Sequence, residues 1–97
     1  MIDLSPEHLE VVRRIAAAHF PGAAVLVFGS RARGTARTYS DLDLAVRGGA
    51  PLPPARIEAA KDAFSASDLP FSVDVVDYHA ASTTFRAVID AHALPLF

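Results

Sequence analysis

The apolar residues of this chain are spaced in two ways, which predict helices in some segments and strands in others. In three segments they recur every three or four positions, as one face of a helix requires: from Ser5-Pro6 to before Pro21, 55–67 and 82–91. Three other segments are short and largely apolar, as strands are: 23–28, 41–47 and 71–77. This order predicts an α/β (α+β) fold in which a small mixed β-sheet is packed with helices.

Residues between these segments begin or end regular structure. Ser5 is a good N-cap, and Ser82 or Thr83 is the N-cap predicted for the last helix. The connection 48–54 is rich in Gly and Pro, as turns are. The last residues, 94–97, are strongly apolar, and two alternatives stay open for them: a short edge strand or a surface that binds a partner.

Two aspartates separated by one residue, Asp41 and Asp43, occupy the predicted second strand. Because side chains alternate along a strand, both carboxylates point to one side, and Leu42 and Leu44 point to the other side, towards a core. Neighbouring carboxylates repel, and burial favours protonation of one of them. A divalent cation removes this conflict, and a hard cation such as Mg²⁺ binds through carboxylates and substrate phosphates.

A glycine-serine turn, Gly29-Ser30, follows the first strand and supplies a second part of the candidate site. The glycine allows the backbone to turn sharply and to approach a ligand closely. If a helical turn starts at Ser30, its free N–H groups point outward and suit a phosphate, and we expect Gly34 to end this turn. We expect Arg31, Arg33 and Arg37 to add positive charge near this phosphate.

Two residues directly before the acid pair, Tyr39 and Ser40, are further candidates for contact with a nucleotide. Tyr39 has two open interpretations: it stacks on a base, or it is a half-exposed aromatic residue that covers the end of the strand.

Length and composition restrict the class of protein. The 97 residues form one domain, 1–97, and a hydrophobic content of 52% indicates a globular chain. There are no cysteines, which excludes disulfides, thiolate zinc sites and a cysteine nucleophile. The sequence shows neither the pattern of a signal peptide nor an apolar run of membrane-spanning length. We therefore expect a cytoplasmic protein that does not associate with membranes.

The charged residues are unevenly distributed. The net charge of −2 argues against broad nucleic-acid binding. From Val27 to Arg47, however, four arginines outnumber two aspartates, so positive charge gathers around the predicted phosphate site. Lys61, the only lysine, lies outside this stretch, and we expect it to be a solvated helix residue.

The spacing Gly29-Ser30, ten residues, Asp41-x-Asp43 resembles the signature of the polymerase-beta-like nucleotidyltransferases. The longer pattern, GSRARG followed by SDLDL, is similar to that of the minimal nucleotidyltransferases, many of which are antitoxin partners of small helical toxins. A third acid within VDVVD also fits this family, and the match places it at Asp74. Asp77 lies on the opposite face of that strand and is expected to cap the next segment, although the alternative that it is the third acid stays open.

The resemblance implies a metal-dependent reaction in which an acceptor hydroxyl attacks the α-phosphate of ATP and pyrophosphate leaves. The implied cofactor is Mg²⁺, with two ions bound, or Mn²⁺ in its place. The implied catalytic and metal-binding residues are Asp41, Asp43 and Asp74. The implied nucleotide-binding residues are Gly29, Ser30, Arg33 and Ser40.

The resemblance also implies a partner. In the antitoxin members of the family, AMP is moved to a tyrosine hydroxyl of the cognate toxin, so we expect a helical HEPN-like toxin in complex with this chain. One alternative is an antitoxin that neutralises its toxin by direct binding without catalysis. Another is a transferase that acts on a small hydroxyl compound such as an antibiotic, which the short chain disfavours because little of it is available to enclose a small acceptor.

Overall fold

A computed structural model describes residues 1–97 as a four-stranded sheet with helices on both faces. In chain order the elements are α1 (Pro6–His19), β1 (Ala24–Phe28), α2 (Ser30–Arg33), β2 (Leu42–Arg47), α3 (Pro54–Ser65), β3 (Val73–Asp77), a 3₁₀ turn (Tyr78–Ala80), α4 (Thr83–His92) and β4 (Leu94–Pro95). None of the helices is both long enough and apolar enough to cross a membrane.

The sheet is mixed, as the sequence predicts. Its strand order is β3-β2-β1-β4, with β1 antiparallel to both β2 and β4, and with β2 parallel to β3. The parallel pair is connected through α3, because parallel neighbours need a crossover of this kind. In the register of this pair Asp43 stands opposite Asp74, so acids that are distant in sequence become neighbours.

One face of the sheet is covered by α1 and α3, which form the larger core with it. This core contains 13 buried residues, including Val12 of α1, Leu44 of β2 and Phe64 of α3. The Ser5 hydroxyl accepts a hydrogen bond from the N–H of His8 and caps α1, which confirms the predicted N-cap. Burial of apolar side chains on this face is the main stabilising contribution of the fold.

The opposite face is covered only in part, by α4. Here the buried cluster has three members, Phe28, Ala45 and Ile89. Phe85 and Val88, which the helical spacing assigns to the apolar positions of α4, remain 37% and 57% exposed. Much of this face therefore stays accessible to other molecules.

The apolar C-terminal residues add the fourth strand to the sheet. β4 pairs with β1, and the N–H of Leu96 donates to the carbonyl oxygen of Val25 at 2.9 Å. Leu96 is fully buried in the larger core, whereas Phe97 is 62% exposed. The edge strand predicted for 94–97 is therefore confirmed, and binding of a partner by Phe97 stays a prediction.

Several elements are shorter than the sequence predicts. β2 begins at Leu42, whose N–H donates to the carbonyl oxygen of Ser72 at 2.9 Å, and Asp41 lies outside the strand. α3 ends at Ser65, two residues before the predicted end. The Ser67 hydroxyl donates a hydrogen bond to the carbonyl oxygen of Phe64, in the last turn of α3. This bond competes with continuation of the helix.

Candidate active site

Asp41, Asp43 and Asp74 lie near one another at the sheet face that α4 covers in part. Asp43 shares its side of β2 with Ala45, and Asp74 shares its side of β3 with Val76, and both apolar residues pack in the cluster under α4. The register of β2 and β3 places Asp43 beside Asp74, at the spacing of neighbouring strands, which is about 4.8 Å. Asp41 directly precedes β2 and is exposed.

The electrostatics of Asp43 connect these three acids. Partial burial raises the pKa of Asp43, because a less polar surrounding disfavours the charged carboxylate. The negative charges of Asp74 and then of Asp41 raise this pKa further. Both neighbouring carboxylates therefore act on Asp43, and a cation placed beside it would relieve both the repulsion and the cost of burial.

Gly29 lies directly against Asp43. Its φ of 74° falls in the left-handed region, which glycine adopts readily and other residues rarely do. A Cβ at this position would collide with Oδ2 of Asp43 and would lie 3.3 Å from its Cγ. Only glycine fits here, both for its backbone angle and for the close approach of the turn to the acid.

Ser30 begins α2, the short helical turn that the sequence predicts. The carbonyl oxygen of Gly29 accepts hydrogen bonds from the N–H groups of Ala32 and Arg33, both at 3.1 Å. Gly34, with a φ of 75°, ends α2 as a left-handed C-cap, which is also as predicted. The turn therefore starts beside the acids and is closed within one helical turn.

Arg31 has a structural role, which corrects the expectation that it lies beside a phosphate. Its side chain is only 6% exposed. The guanidinium donates to the carbonyl oxygens of Asp3 at 2.9 Å, Thr38 at 3.2 Å and Ser40 at 2.9 Å, and its Cζ lies 4.3 Å from the centre of the Phe71 ring. Arg31 thus ties the N-terminal segment to the loop that precedes β2.

The same loop carries the other polar candidates. The Ser40 hydroxyl accepts a hydrogen bond from the N–H of Arg37 at 2.8 Å, so it stabilises the loop. Tyr39 is 74% exposed, so the interpretation that it covers the end of the strand is wrong. The side chains of Arg33 and Arg37 are exposed, unlike that of Arg31.

Asp77 is a capping residue, as the sequence predicts. One carboxylate oxygen accepts from the N–H of His79 at 3.0 Å, and the other accepts from the N–H of Leu52 at 2.8 Å. Both oxygens are thus engaged by backbone donors, on the side of β3 opposite to Asp74. This geometry favours Asp74 over Asp77 as the third acid.

Lys61 lies at the site, which corrects the expectation that it is only a solvated helix residue. Its Nζ is 3.7 Å from Oδ1 of Asp74 and 3.7 Å from Oε1 of Glu58. The sequence itself indicates the pair of Lys61 with Glu58, because the two residues are three positions apart on α3. No sequence signal indicates the pair of Lys61 with Asp74, because that pair depends on how α3 packs against β3.

The donor set at this face suits a hard divalent cation. Carboxylate oxygens are the ligands that Mg²⁺ prefers, and a bound cation would offset both the burial and the neighbouring negative charges that raise the pKa of Asp43. As the side chains stand, no group of three or more His, Cys, Asp or Glu residues is arranged to hold a metal ion. One or two of these carboxylates would hold a cation, with nucleotide phosphates supplying further oxygen ligands.

A glycine-serine turn against paired acids, on a small mixed sheet, defines a nucleotidyltransferase domain. Residues 10–97 match the family model described as "Polymerase beta, Nucleotidyltransferase". The chain belongs to this family of polymerase-beta-like nucleotidyltransferases, which confirms the family predicted from the sequence. Over 88 residues it is 42% identical to a Haemophilus influenzae protein named "Probable protein adenylyltransferase MntA", covering 91% of this chain and 77% of that protein.

Solved structures of toxin-antitoxin complexes share the fold. A crystal structure of a toxin-antitoxin with AMP-PNP contains a chain that is 26% identical, with a TM-score of 0.78 over 92% of this chain and 72% of that one. A complex of an MNT antitoxin with a tri-AMPylated HEPN toxin from Shewanella oneidensis has a TM-score of 0.72 at 22% identity, over 94% and 70% of the two chains. The predicted fold class is confirmed, and the chain is a homologue of MntA-type antitoxin nucleotidyltransferases.

Proposed function

We propose that this protein moves AMP from ATP to a hydroxyl group of a partner toxin and thereby silences that toxin. The observation that carries the proposal is the pairing of Asp43 with Asp74 in the β2–β3 register, with Gly29 packed against Asp43. The site is open, as a protein acceptor requires, and its acids carry negative charge that a metal-nucleotide complex would neutralise.

Each residue has a distinct role in this mechanism. Asp41 and Asp43 would hold the metal, and Asp74 would complete the site next to the acceptor and take the proton of its hydroxyl. Two Mg²⁺ ions, or Mn²⁺ in their place, would supply positive charge to a reaction in which negative charge develops on oxygen. The acceptor oxygen forms a bond to the α-phosphorus, and the bond to the bridging oxygen breaks to release pyrophosphate. This chain mainly contributes positioning and charge.

The phosphates are assigned to the turn after β1. Gly29 and Ser30 face the β- and γ-phosphates through the start of α2, and the exposed Arg33 adds a mobile positive charge. Ser40 holds the loop beside the nucleotide through its hydrogen bond with Arg37. Arg31 is not assigned to the nucleotide, since its guanidinium is engaged by carbonyl oxygens.

The proposed partner is a helical HEPN-like toxin, with a tyrosine hydroxyl as the acceptor and the cytoplasm as the place of action. Its support comes from the relatives, because several solved structures with this fold are toxin-antitoxin complexes and one of them holds an AMPylated HEPN toxin. Exposed apolar side chains on this chain, those of Val88 and Phe97, provide surface for such a complex.

Transfer of label from α-³²P-ATP to the purified product of the adjacent gene, with Mg²⁺ present, tests the proposal. We expect label on the partner with the wild-type protein and none with Asp74→Asn. Asp68→Asn, which removes an exposed acid elsewhere, is the matched control and should transfer normally. Equal transfer by wild type and Asp74→Asn would contradict the assigned third acid, and absence of label with every variant would contradict the enzymatic function.

The alternative of neutralisation by binding alone predicts a different outcome in cells. If the toxin is blocked by contact, the folded double variant Asp41→Asn/Asp43→Asn should still protect cells that express the toxin. If transfer of AMP is required, protection should be lost although the two proteins still form a complex. Growth rescue and co-purification, measured on the same cells, distinguish these outcomes.

A further inference from the structure

Lys61 is the one cation that the fold brings to the acid site from outside the glycine-serine turn and its loop. α3 packs on the larger-core side of the sheet through Ala60 and Phe64, whereas Asp74 points to the other side. β3 is an edge strand, and Lys61 reaches around this edge to within 3.7 Å of the Asp74 carboxylate. Asp74 thus has a positive charge of this chain beside it, whereas no positive charge lowers the raised pKa of Asp43.

Lys61 has two partners at the same distance. Its Nζ lies 3.7 Å from the Asp74 carboxylate and 3.7 Å from the Glu58 carboxylate, one helical turn earlier on α3. The Lys61 side chain is 36% exposed, that of Glu58 is 67% exposed and that of Asp74 is 56% exposed, so solvent reaches all three groups. Exposed ion pairs are weak, so a shift of the ammonium from one carboxylate to the other costs little.

We propose that Lys61 is a movable counter-charge that pairs with Asp74 when the second divalent cation is absent and pairs with Glu58 when that cation is bound. This inference rests on the proposed function, in which Asp74 is a metal ligand. A divalent ion at Asp74 and an ammonium a few ångströms away repel each other, so binding of the ion weakens the pair between Lys61 and Asp74. Glu58 provides the place to which the ammonium moves.

The proposal requires opposite effects from substitutions at the two partners of the switch. Lys61→Met removes the ammonium, which competes with the metal, and keeps the apolar stem of the side chain. It should raise the affinity of the metal site at Asp74, taken as the weaker of the two sites, by about three- to tenfold. Removal of the alternative partner by Glu58→Gln leaves the ammonium on Asp74 and should weaken the same site by about two- to fivefold. Lys61→Arg keeps the charge and should remain close to wild type.

Titration with Mn²⁺ in the presence of a saturating non-hydrolysable ATP analogue, with free Mn²⁺ measured by electron paramagnetic resonance, tests this directly. Arg14→Met and Asp62→Asn are matched controls, because each makes the same charge change at an exposed helix residue and should leave both Mn²⁺ affinities unchanged. Thermal unfolding of each variant verifies that it is folded. The readout is binding, so it does not depend on a partner or on turnover.

The possible results separate this inference from the proposed function. Tighter binding by Lys61→Met together with weaker binding by Glu58→Gln supports the movable counter-charge. Unchanged or weaker binding by Lys61→Met overturns it, and an unchanged Glu58→Gln overturns the role of Glu58 as the alternative partner. If wild type binds two Mn²⁺ ions and Lys61→Met behaves identically, only the counter-charge fails. If wild type binds no Mn²⁺ with the analogue, the metal-dependent function itself fails.

Discussion

The two faces of the sheet differ in what they bury and in what they expose. The face under α1 and α3 contains 13 buried apolar residues, whereas the face under α4 contains three. The second face carries the charged groups instead, with Asp43 held partly buried next to the other acids. In this small domain one face therefore supplies most of the stability, and the other carries unfavourable charge at the candidate active site.

The largest effect is expected from the acid face and should appear in activity alone. Asp41→Asn/Asp43→Asn removes the two carboxylates proposed to bind the metal, so AMP transfer should fall by at least about 10³-fold. The fold should remain intact, since neither carboxylate supports the core. Transfer rates and thermal unfolding of the same preparation check this, and a double variant that loses both activity and cooperative unfolding would contradict the division between the faces.

A core substitution should give the reverse pattern. Leu44→Ala, on the face under α1 and α3, removes a fully buried side chain and should lower the free energy of unfolding by about 2–5 kcal/mol. Leu26→Ala is the matched control, because this leucine of the adjacent strand is half-buried against the smaller cluster. We expect its cost to be about half as large. Chemical denaturation of both variants decides, and equal losses would show that the two faces stabilise the fold equally.

Two arginines on α2, Arg31 and Arg33, are close in sequence but are expected to contribute differently, one to stability and the other to ATP binding. Arg31→Met leaves several carbonyl oxygens without their donor and should destabilise the protein by about 2 kcal/mol. Arg33→Met, at an exposed position, should change stability by less than about 0.5 kcal/mol and should instead raise the KM for ATP. Denaturation and steady-state kinetics, measured on both variants, check this. A stable Arg31→Met with a raised KM would contradict the structural role of Arg31.

The smallest effect concerns the stability cost of the acids. Two unit charges a few ångströms apart repel by about 1 kcal/mol in water, so Asp43→Asn should stabilise the metal-free protein by about that amount at neutral pH. The pKa of Asp43 is raised in the folded state, so folding favours its protonated form and ionisation of Asp43 costs stability. The advantage of Asp43→Asn should therefore shrink as the pH falls through this raised pKa.

Thermal unfolding of wild type and Asp43→Asn across this pH range, without divalent metal, provides the measurement. Asp68→Asn is the control for loss of a single exposed acid and should show no such pH-dependent advantage. A wild-type protein that is more stable than Asp43→Asn at neutral pH would show that the acid face does not carry unfavourable charge.

The comparison also explains what the sequence could predict. The spacing of apolar residues predicted the first three strands and the longer helices, because burial in a core dictates that spacing. The identity of local residues predicted caps at Ser5, Gly34 and Asp77, because a cap depends on only a few neighbouring residues. The family motif predicted which acids share a site, and the β2–β3 register agrees with the place it gives to Asp74.

Contacts between distant elements were not predictable in the same way. The sequence treats Arg31 and Arg33 alike, yet one is clamped by carbonyl oxygens of separate segments and the other is exposed. Lys61 meets Asp74 only because α3 packs beside the edge strand. Tyr39 is 74% exposed, and no local pattern distinguishes this position from that of an aromatic residue covered by the fold.

The central claim, that the acid face transfers AMP to a partner protein, is tested most directly by the intact mass of that partner. The partner is incubated with ATP, Mg²⁺ and either the wild-type protein or Asp41→Asn/Asp43→Asn, and its mass is then measured. We predict a mass gain of one or more AMP units with wild type and no gain with the double variant. A stable complex whose partner shows no change in mass would contradict the claim and would leave neutralisation by binding as the function.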